Sequence, residues 1–388
     1  MRKLFTCWAI MYLLNAGLLH AQEKTANRLT ANGYLKFLQT IFYQEFNKQW
    51  LTDNLVHNRL NFAYYPGDHF HAAVELRNRI FYGQFVESIP GYSDLIDTNT
   101  GYFDLSAILF QGDSYFFHTA IDRAYFDLIF GKLQIRTGRQ RINWSQNLIW
   151  NPNDIFNAYS YFDFDYEERP GTDAIKVQYY TGLTSNAEFV YEVADDLKKM
   201  AFAGMYRFNK FGYDFQFLGG YVKDDWVAGT GWSGHIGGAA FRGEASYFHA
   251  NDSAVPVRDQ FVASISGDYT FKNSFYIHAG MIYNSDGSRG KAPFSEYIFF
   301  SNLSAKNLTP AVTEVLGQVS YPFTPLINGS LAGLINPQDG SYFFGPSFSI
   351  SLQDNLELML MGQFFEGRDG TEYGDIGKLL YWRIKWSF

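Results

Sequence analysis

Apolar and polar residues alternate with a period of two along most of this chain, often in runs of ten or more residues. In 54–65, Val56, Leu60, Phe62 and Tyr64 share one face, while His57, Arg59 and Asn61 share the other. In 70–82, Phe70, Ala72, Val74, Leu76, Ile80 and Tyr82 alternate with His71, Glu75, Arg77 and Arg79. The pattern returns with Phe189 and Tyr191 against Glu188 and Glu192, and with Phe261, Ala263 and Ile265 against Ser264, Ser266 and Asp268. It returns again with Phe348, Ile350 and Leu352 against Ser347, Ser349 and Ser351. Successive side chains of a strand point to opposite faces, so the period predicts an all-β fold. The runs are long for soluble strands and match the roughly 9–11 residues of a tilted bilayer crossing. A β-sandwich would show the same alternation with the apolar face turned inward.

Composition helps to separate the two. Hydrophobic residues are 47% of the chain and aromatics 19%, with 38 Phe and 28 Tyr, yet mean hydropathy is only −0.20. Apolar residues are thus interleaved rather than blocked, and aromatic residues suit membrane–water interfaces. Short turns are expected at Phe130–Gly131, 209–212, Lys272–Asn273 and 353–355. Longer connections are expected at 87–113, 142–172, 224–229, 285–310 and 366–375. Short turns at one rim and long loops at the other are the arrangement of a closed transmembrane antiparallel barrel. Sixteen to eighteen strands are read. Two stretches do not settle locally: 115–129 breaks its alternation as a bulge would, and Gly-rich 231–250 reads as one strand or two.

Arg2 and Lys3 precede the apolar run Leu4–Leu19, with a cleavage point expected at Ala21–Gln22. Residues 1–21 therefore read as a secretory signal peptide, and 22–388 as one barrel domain with no N-terminal plug. The single cysteine, Cys7, lies in the leader, so no disulfide or Cys-based metal site is expected in the mature chain. Net charge is −8, and −10 without Arg2 and Lys3, which argues against nucleic-acid binding.

The chain closes on "LLYWRIKWSF". Leu380, Trp382, Ile384, Trp386 and Phe388 fall on one face, and Tyr381, Arg383, Lys385 and Ser387 on the other. An aromatic final residue behind alternating apolar positions resembles the C-terminal β-signal of Gram-negative outer-membrane proteins. The resemblance implies an outer-membrane location and a closing strand read by the barrel-assembly machinery through Trp382, Ile384, Trp386 and Phe388. Outer-membrane lipid and lipopolysaccharide are the surroundings it implies; oligomeric state is left open.

A second stretch, "GRQRINWSQNLIWNPNDIF" followed by "RPGTDAIKVQYY" (138–156 and 169–180), resembles a signature of porin-like channel families, including relatives of the alginate-export porins. Ser145 stands where those families place glycine. This resemblance implies a passive diffusion or export channel for small hydrophilic solutes.

The segment 142–172 is too long for a tight turn and too aromatic for a solvated loop, with Trp144, Trp150, Phe156, Tyr159, Tyr161, Phe162 and Phe164. It is expected to fold into the lumen. Its acidic set Asp163, Asp165, Glu167 and Glu168 would face a basic wall of Arg59, Arg77, Arg79, Arg139 and Arg141, with Glu75 also inward. Opposed charges across a water-filled constriction would select solutes by charge and dipole. The alternatives are a barrel enzyme of lipase or protease type and a secreted soluble β binding protein. For the first, His118 with Asp122 and Ser233 with His235 are neighbouring pairs, but neither has a third orienting group or a nucleophile elbow. No catalytic residues, metal or cofactor are expected.

Overall fold

The computed structural model describes residues 28–97, 101–163, 165, 167–196, 198–251, 259–291 and 303–388. The expected leader and its Ala21–Gln22 cleavage point, and Phe164, lie outside the described residues. Nineteen strands form one antiparallel sheet. Eighteen of them close a ring in which each pairs with its neighbours in sequence. The first strand, Leu29–Tyr43, and the last, Lys378–Ser387, complete it from Tyr34↔Ser387 to Tyr43↔Lys378. The nineteenth strand, Ser106–Gly112, is short and pairs with the first half of Tyr115–Phe130 on the edge that Leu133–Gln140 occupies lower down.

Turns of two left-handed residues make the tight rim. Phe211–Gly212 (φ 56° and 78°) and Gly237–Gly238 (57° and 88°) carry the backbone twist that matches flanking strands. Gly237–Gly238 divides 231–250 into Asp225–Ile236 and Ala239–Ala250, so that stretch is two strands. The expected long connection at 224–229 is corrected. Lys223 and Asp224 (φ 50° and 73°) form a tight turn and the strand begins at Asp225, because Trp226, Val227 and Ala228 continue the alternation.

The distribution of surface is inverted relative to a soluble protein. Phe217, Trp226, Phe261 and Trp386 lie exposed on the outside, while Lys36, His57, Arg59 and Glu244 are buried within. Burying charge while exposing a continuous aromatic surface is favourable only where the outer medium is hydrocarbon. Closure leaves no strand edge unpaired against that medium.

The lumen itself is not uniformly polar. On the long-loop half of strands 186–387, Val190, Met205, Leu218, Val227, Phe248 and Phe343 point inward and form an apolar cluster with Ile142, Trp144, Trp150 and Phe156. Those inward positions meet a folded loop rather than water, so apolar side chains are favoured there.

Candidate functional site

The segment 141–171 leaves the strand Leu133–Gln140 and returns at Thr172–Tyr180 after crossing the lumen in two arms. The first arm is tied to the inward faces of strands between 186 and 270. Glu244 accepts backbone N–H groups of Gln146, Asn147 (2.6 Å) and Asn153 (2.9 Å). Trp144 Nε1 donates to Glu188 (2.9 Å), and Gln216 Nε2 donates to the Trp144 carbonyl (2.8 Å). Asn153 accepts from Ser246 Oγ (2.8 Å) and donates to the Thr230 carbonyl (3.0 Å). Within this arm Asp154 is pushed up to about 7 by burial, a shift opposed by Arg141 at 2.5 Å and reinforced by the charge of Glu244.

The second arm crosses to the opposite wall. Phe162 packs on Phe343 and Phe365, with ring centroids 5.1 and 5.4 Å apart. Arg123 donates to the carbonyls of Glu168 (2.8 Å) and Arg169 (2.7 Å), and the Arg169 guanidinium lies 3.9 Å from the Tyr159 ring centroid. Asp165 meets Lys36 at 2.7 Å and His57 at 3.6 Å. Burial pushes the Asp165 carboxyl up, but the hydrogen bond from His57 and the charge and hydrogen bond of Lys36 outweigh it. The group is held well below the usual carboxylate range. Glu168 accepts from Tyr34 (3.2 Å) and lies 3.6 Å from Arg59. Glu167 bridges Arg383 (3.1 Å) and Lys385 (2.7 Å), and these cations outweigh burial to lower it as well.

Behind the acids, the wall is ordered by a bulge. The pairing of Phe70–Gly83 with Tyr115–Phe130 slips from Glu75↔Arg123 to Leu76↔Ile121, leaving Asp122 as the extra residue. A bulge re-aims side chains. Here consecutive residues Asp122 and Arg123 are both buried in the lumen rather than on opposite faces. Asp122 then binds Arg59 (2.6 Å) and Arg77 (3.2 Å), and Arg59 also holds Glu75. Arg79 Nη2 stands 3.1 Å from His118 Nδ1, whose other ring nitrogen lies 3.1 Å from Asp97.

Three sequence expectations are corrected. Arg139 does not reach the acidic set: it shares the parity of outward-facing Ile135 and binds Asp173 (2.7 Å) and the Phe103 carbonyl (2.5 Å). Arg141 stays inside the loop, on Asp154 and the Asn157 carbonyl (2.6 Å). The opposed charges stand in contact rather than across a water-filled gap. Asp163 is exposed, and its carbonyl accepts from Arg169 (3.0 Å). Lys36, His57, Asp122, Arg123 and Glu244 were not singled out by sequence reasoning. For Lys36 the alternation Tyr34–Lys36–Leu38 against Leu35–Phe37 was the available signal.

No protein-family model and no curated protein matches the sequence. Solved structures do match in shape. Acinetobacter baumannii OccAB1 superposes with a TM-score of 0.57 at 11% identity, covering 95% of this chain and 98% of its own. OccAB4 of the same organism gives 0.58 at 9% identity, over 94% and 100%. Pseudomonas aeruginosa OccK8 (OprE) gives 0.57 at 9% identity, over 93% and 98%. These are outer-membrane porins. The fold is that of a porin. Within this porin fold, the stretch beginning Gly138–Arg139–Gln140 is the root of the inward loop. Gln140 Nε2 donates to the Ala174 carbonyl (2.9 Å), and Arg139 clasps Asp173 across the neighbouring strand. Gly171 closes the root, where an added Cβ would lie 2.7 Å from Arg123 Nη1 and the Asp122 carbonyl.

Proposed function

We propose that this chain is a channel of the Gram-negative outer membrane for passive diffusion or export of small hydrophilic solutes. The observation that carries the reading is the loop 141–171, folded into the lumen of a closed porin-fold barrel and tied to both walls. Such a loop narrows the path between the rims, and the residues where it meets the wall are its constriction: Lys36, Arg59, Asp165, Glu167, Glu168 and Arg383. Charges paired in contact present a graded field to a passing solute rather than a bare cation or anion. The channel reading is favoured over a barrel enzyme because His118, the best candidate base, is engaged by Arg79 and Asp97. The strand Lys378–Ser387 serves assembly in this reading: Trp382, Ile384, Trp386 and Phe388 meet the barrel-assembly machinery first and lipid afterwards. Single-channel recording in planar bilayers tests the proposal. Deleting 156–168 raises conductance if the loop is the constriction. A folded wild-type barrel with no conductance would refute the channel reading, and an unchanged deletion variant would refute the constriction.

A further inference from the structure

One sector of the outer surface departs from the apolar rule. Among the described residues, the outward-facing asparagines and glutamines of the eighteen ring strands are Gln39, Asn54, Asn58 and Asn78. All lie on the first three strands, and they are linked. Trp382 Nε1 donates to Gln39 (2.8 Å), and Gln39 donates to Asn54 (3.1 Å). Asn78 donates to Asn58 (3.3 Å) and accepts from Thr119 (2.7 Å). They do not mark a water-exposed rim. Asn58 stands between Val56 and Leu60, and Asn78 between Leu76 and Ile80, within the apolar belt.

A primary amide offers two donors and two acceptor lone pairs. Each of these four uses one of each inside the barrel, so half of its capacity faces outward. Hydrocarbon cannot meet that demand, and polar side chains in a membrane are accordingly turned toward protein. Beside the row, Ile80, Tyr82, Glu87 and Tyr115 line an open groove of about 570 Å³. Leu109 and Phe110 project from the short strand Ser106–Gly112 next to it.

We propose that this sector is the surface on which a second copy of the chain packs in the membrane. The row is uncharged, and amides are self-complementary, so an identical row supplies both the acceptors and the donors that this one lacks. A lipid headgroup would instead require charge, at the rim rather than within the belt. The proposal rests on the reading that the outer face meets lipid, but not on solute passage.

Disulfide trapping in outer membranes tests it, in a Cys7→Ser background that removes the native thiol. Val56→Cys, beside the row, is expected to give an oxidised band of twice the monomer mass, and Phe217→Cys, on a distant strand, none. Asn58→Leu with Asn78→Leu should leave the heat-modifiable folded form intact while lowering the Val56→Cys dimer at least several-fold. A folded protein that yields no dimer, equal dimer from both positions, or a cross-link to another mass overturns the proposal. So does undiminished trapping in the double leucine variant. A wild-type protein that is not heat-modifiable removes the membrane reading beneath it.

Discussion

Replacing Glu244 with leucine is the most direct perturbation of the inward loop that leaves the loop sequence untouched. The carboxylate is buried on Ala239–Ala250 and receives three backbone N–H groups from the first arm, those of Gln146, Asn147 and Asn153. A buried donor left without a partner costs about 1–3 kcal/mol, so three stranded donors cost roughly 3–9 kcal/mol if the arm stays in place. The arm has an alternative, because swinging away returns those N–H groups to water. The closed arrangement is therefore weakened by the lower end, about 3 kcal/mol, or roughly 150-fold in the ratio of closed to open loop at about 1.4 kcal/mol per tenfold. Glu244→Gln retains one carbonyl acceptor and should fall between the two. The assays are single-channel conductance, expected to rise and become noisier, and limited proteolysis in detergent, with new cleavage between 145 and 154. If Glu244→Leu keeps wild-type conductance and protease resistance, Glu244 does not hold the loop and the anchoring argument fails.

The two arms should answer pH in opposite senses. The raised Asp154 carboxyl favours the folded arm while protonated. That contribution fades as pH rises from the unfolded value near 3.9 through about 7, so cleavage at 142–154 should be faster at about pH 8 than at about pH 5. Asp165 is depressed instead. Its contribution is complete above about 3.9 and is lost only as pH falls below that, so protection of 160–170 should be flat from about pH 8 to about pH 5. Equal pH dependence of both cleavages would contradict this assignment. On the last strand, Trp386→Asp puts a charge on the exposed outer face and should abolish the heat-modifiable folded form. Lys385→Gln alters only an inward side chain on Glu167 and should assemble normally; equal loss in both variants would show that facing is not what matters.

Period-two alternation is a property of adjacent residues, and it assigned the all-β class and nearly every strand face correctly. Trp386, Ile384 and Phe388 stand outward, with Arg383 and Lys385 inward, as the terminal decapeptide indicates. Turn chemistry was as local, except where Asp224 looked like the start of a loop and is half of a two-residue turn. Parity, however, chooses only between two sides of a sheet. Which inward acid meets which inward base depends on ring closure and register, and those bring Glu167 to Lys385 across 218 residues. Arg139 shows the limit: its charge invited a place on the pore wall, but its own parity and the partner Asp173 on the next strand took it elsewhere. The bulge at Asp122 disturbs the local pattern without saying what it is for. Only the fold shows that it delivers two consecutive charged side chains to one lumen, beneath a loop whose own charges complete them.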